Sequence, residues 1–200
     1  MFVTFEGVDG AGKSTQARLA ADFLAGRGHE VVTTREPGGT PLGERIRELL
    51  LGGPKMGAWA EASLFAAARA ELAELVIRPA LARGAAVVSD RYLDSSLAYQ
   101  GVARGLGLDA VLALNAAVAD LLPDRTFVLL VDEATAAARR AAEPDRLERE
   151  DESFRRAVAE GFRAVAARFP ERVVLLDGTP PPEEVAARVR EELRLVVAGS

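Results

Sequence analysis

Short β-branched and aromatic runs alternate with longer stretches of helical spacing along the whole chain. Phe2–Phe5, Glu30–Arg35, Ala85–Ser89, Thr126–Val131 and Val173–Leu176 read as five strands. Between them lie stretches of helical period. In Lys13–Arg27, Leu19, Phe23 and Leu24 share a face, and Gly26 and Gly28 close it. Pro41–Leu51 runs up to Gly52-Gly53-Pro54. Ala58–Arg83 is a long helix with a kink expected at Pro79, where the ring removes a backbone donor. Leu93–Arg104 and Asp109–Asp120 are separated by Gly105 and Gly107. An Ala-rich helix runs to Ala142, and Phe154–Phe169 and Pro182–Val197 complete the set. The strands are apolar nearly throughout, as strands buried on both faces are. The expectation is an α/β fold: a five-stranded parallel sheet with helices on both faces. The charged stretch Glu143–Glu152 breaks the pattern and reads as a mobile flap.

Composition narrows the function. A chain of 200 residues suits one domain. Without cysteine there is no disulfide scaffold, thiolate metal site or cysteine nucleophile. His29 is the sole histidine, expected at the surface, and any Ser-His-Asp triad would depend on it. A net charge of −5 argues against a general nucleic-acid binder. No apolar run reaches membrane-spanning length, and Met1–Phe5 lacks the character of a signal peptide, so a cytoplasmic protein is expected. Lys13 and Lys55 are the only lysines among 25 basic residues, so the places where lysine is kept invite scrutiny.

Lys13 stands in Gly7-Val8-Asp9-Gly10-Ala11-Gly12-Lys13-Ser14, which fits G-x-x-x-x-G-K-[ST] between a strand and a helix. Glycines let backbone N–H groups turn around phosphate oxygens, and the helix N-terminus adds its dipole. Lys13 would neutralise β/γ-phosphate charge, and Ser14 would ligate Mg²⁺. The motif marks a nucleoside triphosphate site without saying what is done there. The metal's acidic partner has two sources, Asp90 or Asp132-Glu133, each after an apolar strand. The second would suit an ATP-hydrolysing motor; equally, acids there favour a helix N-terminus.

Three segments carry a resemblance: Phe5–Gln16, Thr34-Arg35-Glu36-Pro37-Gly38-Gly39-Thr40, and Asp90-Arg91-Tyr92-Leu93-Asp94-Ser95-Ser96-Leu97-Ala98-Tyr99-Gln100-Gly101. Their sequence and order resemble the thymidylate kinase family, which transfers the γ-phosphoryl of ATP to dTMP. The likeness runs from Phe5 to at least Phe154. It implies one nucleoside monophosphate kinase domain of P-loop NTPase type, with a phosphate loop at 7–14 and a lid near 139–152. Gly7 to Thr15, with Arg140, would hold ATP. Arg35, Arg47 and Arg91 would face the dTMP phosphate, since arginine is planar, always charged and bidentate. Glu36 belongs with that pocket. Phe65 would stack on thymine and Arg69, four residues on, would donate to its O4. Ser96 and Gln100 would meet the base edge, Tyr99 the sugar near C2′, and Asp9 the 3′-hydroxyl. Asp90 and Ser14 would hold the Mg²⁺ and its water shell. In the bacterial type a lid arginine supports the transferring phosphoryl group, and Gly10 here places that duty on Arg146 first, with Arg140 and Arg149 behind. Lys13, Asp90, Arg91 and Arg146 are then the catalytic set. The resemblance also implies a homodimer; a thymine methyl is worth only about 1–3 kcal/mol, so measurable but weaker activity on dUMP is expected, and charge and hydropathy argue against a nucleic-acid or membrane partner. Other readings are a related kinase for a different base, or an ATP-hydrolysing switch.

Overall fold

The computed structural model describes residues 1–118, 120–139 and 145–198. Five strands form one parallel sheet: β1 Phe2–Glu6, β2 Val31–Arg35, β3 Ala86–Asp90, β4 Arg125–Leu130 and β5 Val173–Asp177, in the order β2-β3-β1-β4-β5. Strand β1 lies between β3 and β4, pairing Phe5 with Asp90 and with Phe127. The chain leaves β1 for β2 on one side and later passes from β3 to β4 on the other. This reversal opens a crevice at the carboxyl ends of β1 and β3, where such sheets bind ligands.

Alternation along β1 sorts the core. Val3 and Phe5 pack with Phe127, Leu129 and the helices α1 (Lys13–Ala25) and α9 (Pro182–Ala198). Phe2 faces the other way, toward Tyr92, Leu97, Val158 and Phe162. Thr4 and Glu6 share that second face and are fully buried. Their polar atoms are matched: the hydroxyls of Thr4 and Thr126 lie 2.9 Å apart, and Glu6 accepts from the Tyr92 N–H and the Ser95 hydroxyl. Beside them Arg172 donates to both oxygens of the buried Asp94, at 2.6 and 2.8 Å.

Helices α2 (Pro41–Gly52) and α3 (Ala58–Leu72) pack together on the side of the crevice. Thr40 caps α2 by accepting from the Gly43 N–H, with Pro41 in the first turn. Beyond α3 the helix continues as a π turn, Ala73–Ile77, into α4 (Arg78–Ala82). The disturbance expected at Pro79 therefore takes the form of a wider turn ahead of the proline, with Arg78 N–H donating to the Ala73 carbonyl. The helix expected at Leu93–Arg104 likewise begins as α5 (Leu93–Ser96) and widens into a π segment, Leu97–Ala103. Helix α6 is shorter than its periodicity predicts, Leu108–Leu114, followed by a 3₁₀ turn at Ala116–Val118. Asn115 ends it: its amide donates to the Val111 carbonyl while its side-chain oxygen accepts from Arg69. Helix α7 covers Glu133–Arg139; its expected continuation to Ala142 lies outside the described residues. Asp132 caps α7, accepting from the Thr135 N–H and hydroxyl, and Glu133 accepts from Arg155. Helix α8 (Glu152–Arg168) lies against the π segment at Gly161, where a Cβ would come within 2.8 Å of the Ala98 Cα. His29 is half-buried where α1 turns toward β2.

Candidate active site

The loop between β1 and α1 forms because its glycines take conformations closed to other residues. Gly7, Gly10 and Gly12 all have positive φ, and a Cβ on Gly10 would stand 2.3 Å from the Ala136 carbonyl oxygen of α7. Position 10 has no room for any side chain, arginine included. Lys13 is buried and reaches back to the Val8 carbonyl (2.9 Å) and to Asp9 (3.4 Å). Burial and the nearby Arg91 cation lower the Lys13 pKa, while Asp9 and Asp90 oppose that. Gly10, Gly12, Lys13, Ser14 and Thr15 line an open cavity of roughly 780 Å³, which also touches Asp9, Arg139 and Glu148. At its edge the Ser14 hydroxyl donates to Asp90 at 2.5 Å. Hydroxyl and carboxylate oxygens are the hard donors that Mg²⁺ prefers when phosphates supply the rest.

A second cavity, about 490 Å³ with its mouth, opens on the other side of Asp9. Asp9, Glu36, Arg47, Phe65, Arg91, Ser96, Tyr99 and Gln100 all line it, so the structure gathers eight of the expected acceptor-site residues. Arg91 is their centre. It has φ +71, the one positive value at a non-glycine residue among those described. Its backbone is pinned on both sides: its N–H donates to Phe5, its carbonyl accepts from Ser89, and the next N–H donates to Glu6. Its guanidinium lies over the Tyr99 ring and donates to Gly7, Ser95 and Asp9. Asp9 is held far below the usual carboxylate range: burial works against ionisation, but Arg91 and Lys13 outweigh it.

Arg47 anchors on the Pro37 carbonyl at 2.9 Å. Burial and the neighbouring Arg35 cation lower its pKa, with Arg91 adding to the effect against Glu44 and Asp145. Arg47 thus feels two other guanidinium groups, an arrangement that favours an anion beside it. Arg35 itself is half exposed, paired with Glu44 at 2.9 Å, and does not line the cavity. Arg69 also stands back from the lining. It is buried, donating to Glu36, Asn115, the Tyr92 carbonyl and Ser96. Burial raises the Glu36 pKa to about 7 despite Arg69, and its Oε1 has no partner among the described residues.

Arg146 lies away from the phosphate loop. Its guanidinium donates to the Leu50 carbonyl and pairs with the buried Glu61 at 2.8 Å, and it does not line the triphosphate cavity. Its neighbour Leu147 packs with Ile46, Leu50, Phe65 and Ala68, forming part of the acceptor wall. Arg140 lies outside the described residues. From the same region Arg139 does reach the phosphate-loop cavity, donating to the carbonyls of Gly178 and Thr179. Sequence reasoning passed over Glu6, Glu61, Asn115, Arg139 and Leu147. Glu6 alone left a local signal, an acid closing an otherwise apolar strand.

A parallel sheet with a phosphate loop at its crevice, and an arginine-lined cavity sharing Asp9 with that loop, defines a P-loop phosphotransferase. The family model for thymidylate kinase matches residues 5–189. A thymidylate kinase from Rhizorhabdus wittichii is 49% identical over 96% of both chains, and one from Thermomicrobium roseum is 50% identical over 94% of this chain and 91% of its own. The crystal structure of thymidylate kinase from Ehrlichia chaffeensis matches with a TM-score of 0.81 at 33% identity, over 97% of this chain and 98% of that one. The chain belongs to the thymidylate kinase family.

Proposed function

We infer that this kinase phosphorylates dTMP to dTDP with ATP through the two cavities that meet at Asp9. The observation that carries the residue assignment is the convergence of Arg47 and Arg91, backed by Arg35, on a cavity beside the phosphate loop. Two polyanions approach each other there, and fixed cations offset their repulsion.

In this reading Lys13 and the loop N–H groups of Gly7 to Thr15 hold the ATP phosphates. Arg139 flanks that cavity from α7. Arg91 and Arg47 hold the dTMP phosphate, whose anionic oxygen needs no general base. That oxygen forms a bond to the γ-phosphorus as the bond to the β-bridging oxygen breaks, leaving ADP. Phe65 supplies a face for the base, Ser96 and Gln100 its polar edge, and Tyr99 and Asp9 the sugar. Arg69 acts from behind, holding Glu36 and Ser96 in place. Ser14 and Asp90 would hold Mg²⁺, which when bound neutralises phosphate charge. Arg146, seated on Glu61, serves by docking residues 145–150 against the acceptor pocket. Assembly as a homodimer belongs to the same reading; exposed Leu42, Leu49 and Trp59 on α2 and α3 are the apolar surface a second copy would cover. No helix among the described residues is long and apolar enough to cross a membrane.

A coupled assay tests the reaction. ADP should appear at negligible rate from ATP alone and rapidly once dTMP is added. ATP turnover independent of dTMP would mark a hydrolytic switch, and a stronger response to another monophosphate would mark a kinase for a different base.

A further inference from the structure

Glu61 lies one helical turn before Phe65 on α3, yet it is a fully buried acid. Four donors converge on it. Gln100 Nε2 donates to its Oε1 at 2.9 Å, and Arg104 Nε reaches the same oxygen at 3.2 Å. Arg104 also donates to Oε2 at 3.1 Å, where Arg146 pairs at 2.8 Å. Burial would raise its pKa, but the bonds from Arg104, Gln100 and Arg146 outweigh burial and lower it. Glu61 is therefore an ionised carboxylate, a group that only accepts hydrogen bonds.

That chemistry constrains Gln100. A glutamine amide has one donating and one accepting end, and facing a carboxylate it must present its NH₂. Gln100 is itself buried and lines the acceptor cavity. With Nε2 committed to Glu61, its carbonyl Oε1 is the end left for a ligand. A carbonyl there suits a pyrimidine whose N3 carries a hydrogen, as thymine and uracil do. Cytosine presents a lone pair at N3, and two acceptors would then face each other at the buried Gln100.

We propose that Glu61 is a positioning residue for base selectivity, locking the Gln100 amide so that its carbonyl reads the N3–H of the substrate base. The inference rests on the reading of this cavity as the dTMP site. Arg104 and Arg146 hold the lock ionised, so the lid segment contributes to base choice without touching the base. Glu61→Gln removes the constraint, because a second amide can donate or accept and Gln100 is then free to turn.

The experiment compares kcat/KM for dTMP, dUMP and dCMP in the parent, Glu61→Gln, Gln100→Ala and the double variant. Glu61→Gln should lower the dTMP:dCMP preference by about tenfold or more, the scale of an unmatched buried polar contact. dUMP, which keeps N3–H, should fall in parallel with dTMP. In the Gln100→Ala background the added Glu61→Gln change should alter the preference by less than about twofold, since the two residues act as a unit. A folded Glu61→Gln protein with unchanged preference, beside a Gln100→Ala variant that loses it, overturns the role of Glu61 alone. A Gln100→Ala variant with unchanged preference overturns both this inference and the pocket reading. Should Glu61→Gln fail to fold, the side-chain ¹⁵N–¹H signals of Gln100 in the unaltered protein decide: slow exchange supports the lock, and exchange at the rate of a free amide overturns it.

Discussion

The guanidinium of Arg91 meets the carboxylate of Asp9 at 2.5 Å. This pair joins the end of β3 to the phosphate loop at Asp9, the residue that lines both cavities. Arg91→Lys keeps the charge but loses the planar fork that spans Gly7, Ser95 and Asp9. Its kcat/KM for dTMP should fall by about 10²-fold or more, with a far smaller change in the KM for ATP. Steady-state kinetics with each substrate varied in turn checks this.

Arg146 offers a sharper test, because two roles predict opposite patterns. A group supporting the transferred phosphoryl lowers kcat when removed. A group seating the lid on the acceptor pocket raises the KM for dTMP. The contacts with Glu61 and Leu50 favour the second, and Arg146→Ala should raise that KM by about tenfold with a smaller loss in kcat, less than a fully severed buried pair would cost because Arg104 and Gln100 still partner Glu61. A large fall in kcat at unchanged KM would return Arg146 to the phosphate.

Gly161 is where α8 touches the segment carrying Tyr99 and Gln100. A methyl there would meet the Ala98 Cα and carbonyl oxygen at 2.8 Å, backbone atoms that cannot swing aside. Gly161→Ala should cost about 1–3 kcal/mol by overpacking, and it should raise the KM for dTMP. Chemical denaturation and kinetics on the same preparation measure the two effects.

Glu6 gives a pH signature. Burial, with Asp94 adding to it, pushes its pKa from 4.5 to about 8, against the pull of Ser95, Arg91 and the Tyr92 N–H. Between those values the native protein holds a proton that the unfolded chain has released. The stability from this group is complete below pH 4.5 and is lost as pH rises toward 8, at up to about 1.4 kcal/mol per pH unit. Glu6→Gln removes that slope. The Tm difference between variant and parent should therefore move in the variant's favour from pH 5 to pH 8.

Asp94 and Arg172 are both buried and pair at 2.6 Å. Arg172→Met should cost about 3–5 kcal/mol by stranding the carboxylate, and adding Asp94→Leu should recover part of the loss. Thermal denaturation of the single and double variants separates these outcomes.

Strand positions and the phosphate loop were legible in the sequence because each is local; the acceptor wall was expected only through the resemblance to the family. Apolar runs mark the strands, and a fixed spacing of glycines with Lys13 marks the loop. Gly10 was read as a missing arginine; the structure adds that the Ala136 carbonyl excludes a side chain there. What stayed hidden depends on pairs far apart in the chain. Asn115 ends α6 early because it serves Arg69, 46 residues away. Glu61 looked like one more helix acid until Gln100, Arg104 and Arg146 closed on it. Arg146 was expected at the transferring phosphoryl group by resemblance, and its partners in the structure, Glu61 and the Leu50 carbonyl, lie far back in the chain. Pro79 signalled a disturbance but not its form as a π turn, and the helical spacing of Leu93–Arg104 did not announce the π segment around Ala98.

Leu147 shares an apolar cluster with Phe65, so the segment that closes the pocket and the platform beneath the base are one packed unit. A molecule shaped to the thymine pocket would lean on both at once. On the proposed reading, an inhibitor there would hold its Leu147 contacts only while residues 145–150 stay seated, so its residence time should follow any lifting of that segment. Substituents aimed at Leu147 should lengthen that residence more than groups of equal size aimed at the cavity mouth.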